Sequence, residues 1–282
     1  MNDEALKQDI ELADAAEACV KQLEGEFGTA SSCTLSREEL EEVRKGNATA
    51  FSLSPVQVPR KSLAEACGRL LQVLLEDSGE AIDGETRAAL RDLDWEAALP
   101  RNAEALAGKA PEELLEQIAE SGVPGLSAEA TDLYVIPVFT LAIRVFVSRA
   151  AREASSLLAS LESEEKRFAF SSSCPICGGT PSIARISETV SHGSQRRLVC
   201  GTCGGTWLWY RIGCPSCGSR DSKDFEYISC EGDESEALYV CHHCGHILPT
   251  LFRKDDIEDD PVTAADTVRL QALEDEYLET KA

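Results

Sequence analysis

Apolar residues recur at helical spacing through most of the first 170 positions. Between residues 3 and 24, Leu6, Ile10, Ala13, Ala16/Glu17, Val20 and Leu23 fall at three- and four-residue steps, which predicts an amphipathic helix. Ser36 followed three residues later by Glu39 is a capping box; it opens a helix from about Arg37 to Lys45 that Gly46 and Asn47 stop. Ser62 and Glu65 repeat that spacing and predict a helix carrying Leu63, Ala66, Leu70, Val73 and Leu74 that ends near Gly79. Helical runs are expected over about 84–98 and 111–121. The second is introduced by Pro111-Glu-Glu, a proline suited to a first turn with acids at the positive helix end. A long helix is expected over about 128–165, with a bend at Pro137.

After about Ser171 the pattern changes to short alternating runs between cysteine-glycine turns. Ser182–Ile186 and Phe225–Ser229 read as strands, each followed by a polar turn (His192-Gly193-Ser194 and Glu231-Gly232-Asp233) and a second strand. Thr206-Trp-Leu-Trp-Tyr-Arg reads as a further strand with Trp207 and Trp209 on one face, for packing between ribbons or onto the helices. An exposed partner face, or stacking on single-stranded nucleic acid with Arg196, Arg197 and Arg211, is the alternative for those aromatics. The fold class expected is multidomain α+β. Its parts are a helical domain (1–170), two tandem rubredoxin-like or zinc-ribbon β modules (171–213 and 214–253), and an acidic C-terminal tail with a short helix (254–282).

Composition supports that division. The 282-residue chain carries 50 acids against 27 Lys and Arg, a net charge of −23. The charge concentrates outside the β modules: −15 over 1–170, −2 over 171–252 and −6 over 253–282. Such a balance disfavours wrapping nucleic acid or lying on an anionic membrane. The acidic N-terminus has no apolar core of a signal peptide, so a cytoplasmic location is expected. The most apolar stretch, Leu133–Val147, is read as too short for a membrane span and contains Pro137 and Arg144. No histidine precedes His192, and neither a phosphate-binding loop nor a Ser/His/Asp set is present in the helical part, so the chain is read as a non-enzyme.

The cysteines carry the chemistry. Nine of the 12 lie between Cys174 and Cys244, and eight form four Cys-x-x-Cys pairs: Cys174/Cys177, Cys200/Cys203, Cys214/Cys217 and Cys241/Cys244. Glycine follows the second cysteine of each pair, allowing the backbone to turn tightly and its amides to face sulfur. Knuckle, hairpin, knuckle occurs twice, with the first cysteines of the two halves 40 residues apart. A hairpin brings its ends together, so sequential pairing builds two four-sulfur sites, Cys174, Cys177, Cys200 and Cys203, then Cys214, Cys217, Cys241 and Cys244. Interleaved pairing of first with third and second with fourth knuckles is the alternative. Each site suits one mononuclear tetrahedral ion, iron or zinc, and spacing does not separate the two. His242, His243 and His246 surround the last knuckle but are not needed to complete four ligands. His192 is expected in an exposed turn, and Cys230 is expected not to be a ligand. Cys19 and Cys67 lie in helical contexts and read as small apolar residues.

The stretches Cys174-Pro-Ile-Cys-Gly-Gly-Thr-Pro, Arg197-Leu-Val-Cys-Gly-Thr-Cys-Gly-Gly-Thr-Trp and Tyr210-Arg-Ile-Gly-Cys-Pro-Ser-Cys-Gly resemble the formate dehydrogenase accessory protein FdhE family. So does the segment from Asp260-Pro-Val to Glu274-Asp-Glu-Tyr. The resemblance covers about 110 residues and implies that the eight cysteines hold two iron or zinc ions. It also implies a cytoplasmic factor for assembly or activation of respiratory formate dehydrogenase that contacts the catalytic subunit. The Cys241-His-His-Cys-Gly-His knuckle departs from the expected final pair. A zinc-ribbon nucleic-acid-binding regulator and a rubredoxin-type electron-transfer protein are the alternative functions.

Overall fold

The computed structural model describes residues 3–77, 82–162, 172–189, 193–230, 233–254 and 261–281. Its helical part comprises α1 (Asp3–Phe27), α2 (Arg37–Arg44), α3 (Ala50–Leu53), α4 (Arg60–Asp77), α5 (Gly84–Arg91), α6 (Trp95–Ala98), α7 (Ala103–Lys109), α8 (Pro111–Ser121), α9 (Ala128–Ala130) and α10 (Ile136–Glu162). Six strands follow: β1 (Pro181–Thr189), β2 (Gly193–Cys200), β3 (Thr206–Trp209), β4 (Phe225–Cys230), β5 (Asp233–Cys241) and β6 (Ile247–Arg253). The helix α11 (Ala264–Lys281) closes the chain.

Local signals place several helix ends. Ser36 accepts from the Glu39 amide, and Glu39 accepts from the Ser36 amide, so the capping box at α2 is complete. At its other end Gly46 adopts φ +77°. The Gly46 amide donates to Val43 and the Asn47 amide to Glu42, which makes a Schellman stop. Pro111 occupies the first turn of α8, with Glu112 and Glu113 beside it.

Three helix expectations change. Ser62 does not open α4. The helix starts at Arg60, directly after Pro59, where the Glu104 carboxylate accepts from the Arg60 amide at 2.8 Å. The run expected over 84–98 is broken, because the Asp94 side chain accepts from the Ala97 amide and starts a new helix. The long helix is widened before Pro137 into a π-helical turn, Thr131–Val135. Proline lacks an amide hydrogen and its ring crowds the carbonyl four residues back; a wider turn accommodates both.

α10 is the centre of the helical part. The helical run Ala128–Leu161 spans 34 residues and is long and apolar enough to cross a membrane by length and composition, so the shorter span read from Leu133–Val147 understates it. Here it works as a core helix. Val135, Phe139, Ala142, Ile143, Phe146 and Val147 are buried, and the helix packs against α1, α4 and α8. Thr131, Thr140, Ser148 and Ser155 return their hydroxyls to carbonyls one turn back, so these polar groups are satisfied within the helix.

The six strands form one sheet in the order β3-β2-β1-β6-β5-β4. Every neighbouring pair is antiparallel except β1 and β6, which are parallel. Each half therefore repeats third, second, first across the sheet. A repeat related by translation brings the first strand of one half beside the third strand of the other in the same direction, which is why that one junction is parallel. The β1–β2 register places Gly193 opposite Thr189 and Ser194 opposite Glu188, so these two residues extend the hairpin strands. His192 and residues 231–232 of the second expected turn lie outside the described residues.

The short helix expected in the acidic segment is the 18-residue α11, which packs on α1, β5 and β6. Its attachment centres on Asp266, 5% exposed, whose carboxylate pairs with Arg253 at 2.8 Å and Arg269 at 2.6 Å. The Thr263 amide and hydroxyl also donate to it, at 2.9 and 2.8 Å. Burial alone raises the carboxyl pKa, but the Thr263 hydrogen bonds and the two guanidinium groups outweigh it and hold it below the ordinary carboxylate value. A depressed folded-state pKa contributes stability that is complete above the unfolded value, about 4, and vanishes as pH falls through the lower folded value. Protection of the α11 amides, taken relative to the intrinsic exchange rate at each pH, is therefore expected to fall on acidification below about pH 4. The Asp266→Asn variant is expected to lose about 1–3 kcal/mol at neutral pH and to flatten that acid limb. An unchanged limb in the variant would contradict this assignment.

Candidate metal centres

All four Cys-x-x-Cys segments fold into the same turn. The first cysteine amide donates to the carbonyl five residues on, in Cys174–Gly179, Cys200–Gly205, Cys214–Ser219 and Cys241–His246, at 2.7–2.9 Å. The glycine amide after each pair returns to the first cysteine carbonyl, in Gly178, Gly204, Gly218 and Gly245. Those four glycines adopt φ between +70° and +88°, a region where a Cβ is costly. Amides of Ile176, Gly179, Gly205 and Cys217 point at cysteine sulfur at 3.4–3.5 Å. Such amides favour a thiolate over a thiol.

The hairpins bring the turns together in sequential order. Sγ atoms of Cys174, Cys177, Cys200 and Cys203 lie within 4.8 Å of one another, as do those of Cys214, Cys217, Cys241 and Cys244. Cross-hairpin Sγ–Sγ separations are 3.8 Å for Cys174–Cys203, 3.5 Å for Cys177–Cys200, 3.7 Å for Cys214–Cys244 and 3.8 Å for Cys217–Cys241. A disulfide needs about 2.05 Å. A tetrahedron with metal–sulfur bonds of about 2.3 Å has edges of about 3.8 Å. Both groups could thus hold a metal ion, and the interleaved pairing is not the arrangement found.

Electrostatics agree with that donor set. Burial pushes the Cys174 thiol well above its ordinary value and the Cys214 thiol up to about 12. Hydrogen bonding from the neighbouring thiols, that of Cys174 foremost, pushes Cys200 well below. Buried thiols held close together resist full ionisation unless a cation sits among them, and a divalent ion supplies that charge.

The helical part grips the first group. Pro175 and Ile176, between the first two cysteines, accept from the Ala50 and Phe51 amides of α3 at 2.9 Å each. Gly201 and Thr202, between the second two, accept from the Arg144 guanidinium of α10. The Thr202 hydroxyl donates to Glu112 of α8, and the Thr206 amide donates to Ser155 at 3.0 Å. No local spacing ties any of these partners to the cysteine turns. In the sequence, Arg144 is a single charge inside an apolar run.

Other candidates resolve more simply. Trp207 and Trp209 are buried, so they offer no stacking face for nucleic acid. His242 and His243 are exposed, with His242 3.1 Å from Glu226. His246 is half-buried, and burial lowers its imidazole pKa. None of the three joins either four-sulfur group. Cys33 and Cys67 are buried and Cys19 half-buried; burial raises all three thiols, as expected of packing residues.

No protein-family model matches the chain. It is 34% identical over 103 residues to the "Protein FdhE homolog" of Aquifex aeolicus (strain VF5), a match covering 34% of this chain and 36% of that protein. It is 30% identical over 80 residues to the "Protein FdhE homolog" of Stutzerimonas stutzeri (strain A1501), covering 28% of this chain and 26% of that protein. The chain thus spans about a third or less of the curated relatives it matches. The crystal structure of the FdhE protein from Pseudomonas aeruginosa aligns over 99% of this chain and 92% of that one, with TM-score 0.48 and 21% identity. The curated relatives support the resemblance to the FdhE family carried by the cysteine motifs.

Proposed function

We propose that this chain is an FdhE-type accessory factor for formate dehydrogenase, binding two metal ions and acting on its client by contact in the cytoplasm. The two four-cysteine clusters support the metal reading. Cys174, Cys177, Cys200 and Cys203 would hold one ion, and Cys214, Cys217, Cys241 and Cys244 the other. When bound, a divalent ion with four thiolates closes its coordination shell and cross-links the ends of a hairpin. It leaves no position for activating water, in keeping with a non-enzyme. The client reading rests on the names of the curated relatives. The net charge of −23 points the same way, towards a protein partner and away from nucleic acid.

Deleting the gene tests the client. Formate dehydrogenase activity is expected to fall to background and to return with the intact gene, while the dehydrogenase polypeptide is still made. Anaerobic pull-down of the chain is expected to recover the catalytic subunit. Normal formate dehydrogenase activity in the deletion strain would end this reading.

A further inference from the structure

The two cysteine groups share donors, turn geometry and glycine conformations, yet their surroundings are opposite. In the first group all four cysteines are buried. The carbonyls of all four intervening residues (Pro175, Ile176, Gly201 and Thr202) are bound by the helical part, through Ala50, Phe51 and Arg144. In the second group Cys217 and Cys244 are exposed, one from each turn, together with Ser216, Gly218, His242, His243 and Gly245. Among the described residues, the bonds to that second group's turns come from Asp224, just before β4: the His242 amide donates to its carbonyl at 2.7 Å and the Ser219 hydroxyl to its carboxylate at 2.5 Å, while Arg196 and Trp209 of the first half reach only the carbonyl of Gly213, ahead of the first turn.

We propose that the two centres divide the work: the first is a permanent clamp between the helical part and the sheet, and the second is an exchange site. At the second, a thiophilic divalent ion enters and leaves while the fold persists. This rests on the metal-binding reading above. A tetrahedral four-thiolate ion loses its metal when a competing ligand reaches it and displaces one sulfur at a time. At Cys217 and Cys244 the competitor meets sulfur at the surface. At the first group it must wait for α3 and α10 to separate from the turns, a local unfolding event. Outer contacts that hold ligands in place commonly change metal retention by about 10–100-fold.

The test uses the full chain loaded with zinc. Two equivalents are expected to bind; fewer would overturn the metal reading itself. On mixing with excess EDTA, one equivalent is expected to leave about 10–100-fold faster than the other. In the same interval N-ethylmaleimide and mass spectrometry should find Cys214, Cys217, Cys241 and Cys244 alkylated. Cys174, Cys177, Cys200 and Cys203 should stay protected, and far-ultraviolet circular dichroism should stay unchanged. The Arg144→Gln variant is expected to quicken the slow phase and leave the fast phase alone. A single release rate for two bound ions, earlier labelling of the first group, or a slow phase indifferent to Arg144→Gln would overturn the division.

Discussion

Cys174→Ser is expected to bind one metal equivalent in place of two and to release the sheet from the helical part. The serine oxygen is a poor partner for a thiophilic ion, and the remaining three sulfurs belong to buried residues. Structural zinc contributes about 10–16 kcal/mol of apparent binding free energy in small peptides. A whole domain has a net stability of only about 5–15 kcal/mol. Losing the centre that joins the helical part to the sheet therefore costs an amount comparable to the net stability of a domain. Amide exchange should rise first at Ala50, Phe51 and the turns around Cys177 and Cys203, because these form the clamp. Cys217→Ser should also lose one equivalent but leave those amides protected. Metal analysis with exchange mass spectrometry checks both variants; a Cys174→Ser protein with two bound ions and unchanged protection would contradict the assignment.

Phe139→Ala is expected to cost about 3–5 kcal/mol in denaturant unfolding of the helical part, the range for deleting a buried aromatic. Phe139 is fully buried on α10 and meets the Trp95 ring edge-on, with centroids 5.1 Å apart. The lost ring leaves a cavity at the helix that also carries Arg144, so part of the cost should appear as faster metal loss from the first group. Phe139→Leu, which refills much of the volume, should recover most of the stability. A loss below about 1 kcal/mol for Phe139→Ala would mean that α10 is not the packed centre described here.

Local chemistry was readable where it acts over a few residues. The capping box at Ser36, the stop at Gly46 and the proline start at Pro111 each depend on neighbours within one turn, and each sits where the pattern put it. The buried face of Trp207 and Trp209 follows from strand alternation. The start of α4 departs from the expectation because Ser62 has capping-box spacing, whereas the group that caps the helix, Glu104, is 44 residues away in sequence. The helix expected over 84–98 hid its break because Asp94 reads equally well as a solvated helix residue and as a cap.

By itself the sequence determined the chemistry of the cysteine turns: which residues turn, where glycine must follow, and which pairs a hairpin joins. Those are short-range constraints of backbone geometry and donor type. Only the tertiary structure decided that the two halves fuse into one sheet through β1 and β6, and that α11 docks on it through Asp266. It also decided that Arg144, Glu112, Ala50 and Phe51 close over one cysteine group while the other faces water. Identical motifs acquire different exposure because burial is set by what packs against them. That packing comes from helices whose bonding residues lie 57 to 125 positions away in the chain, and whose hydrogen-bonding to the turns has no local pattern to betray it.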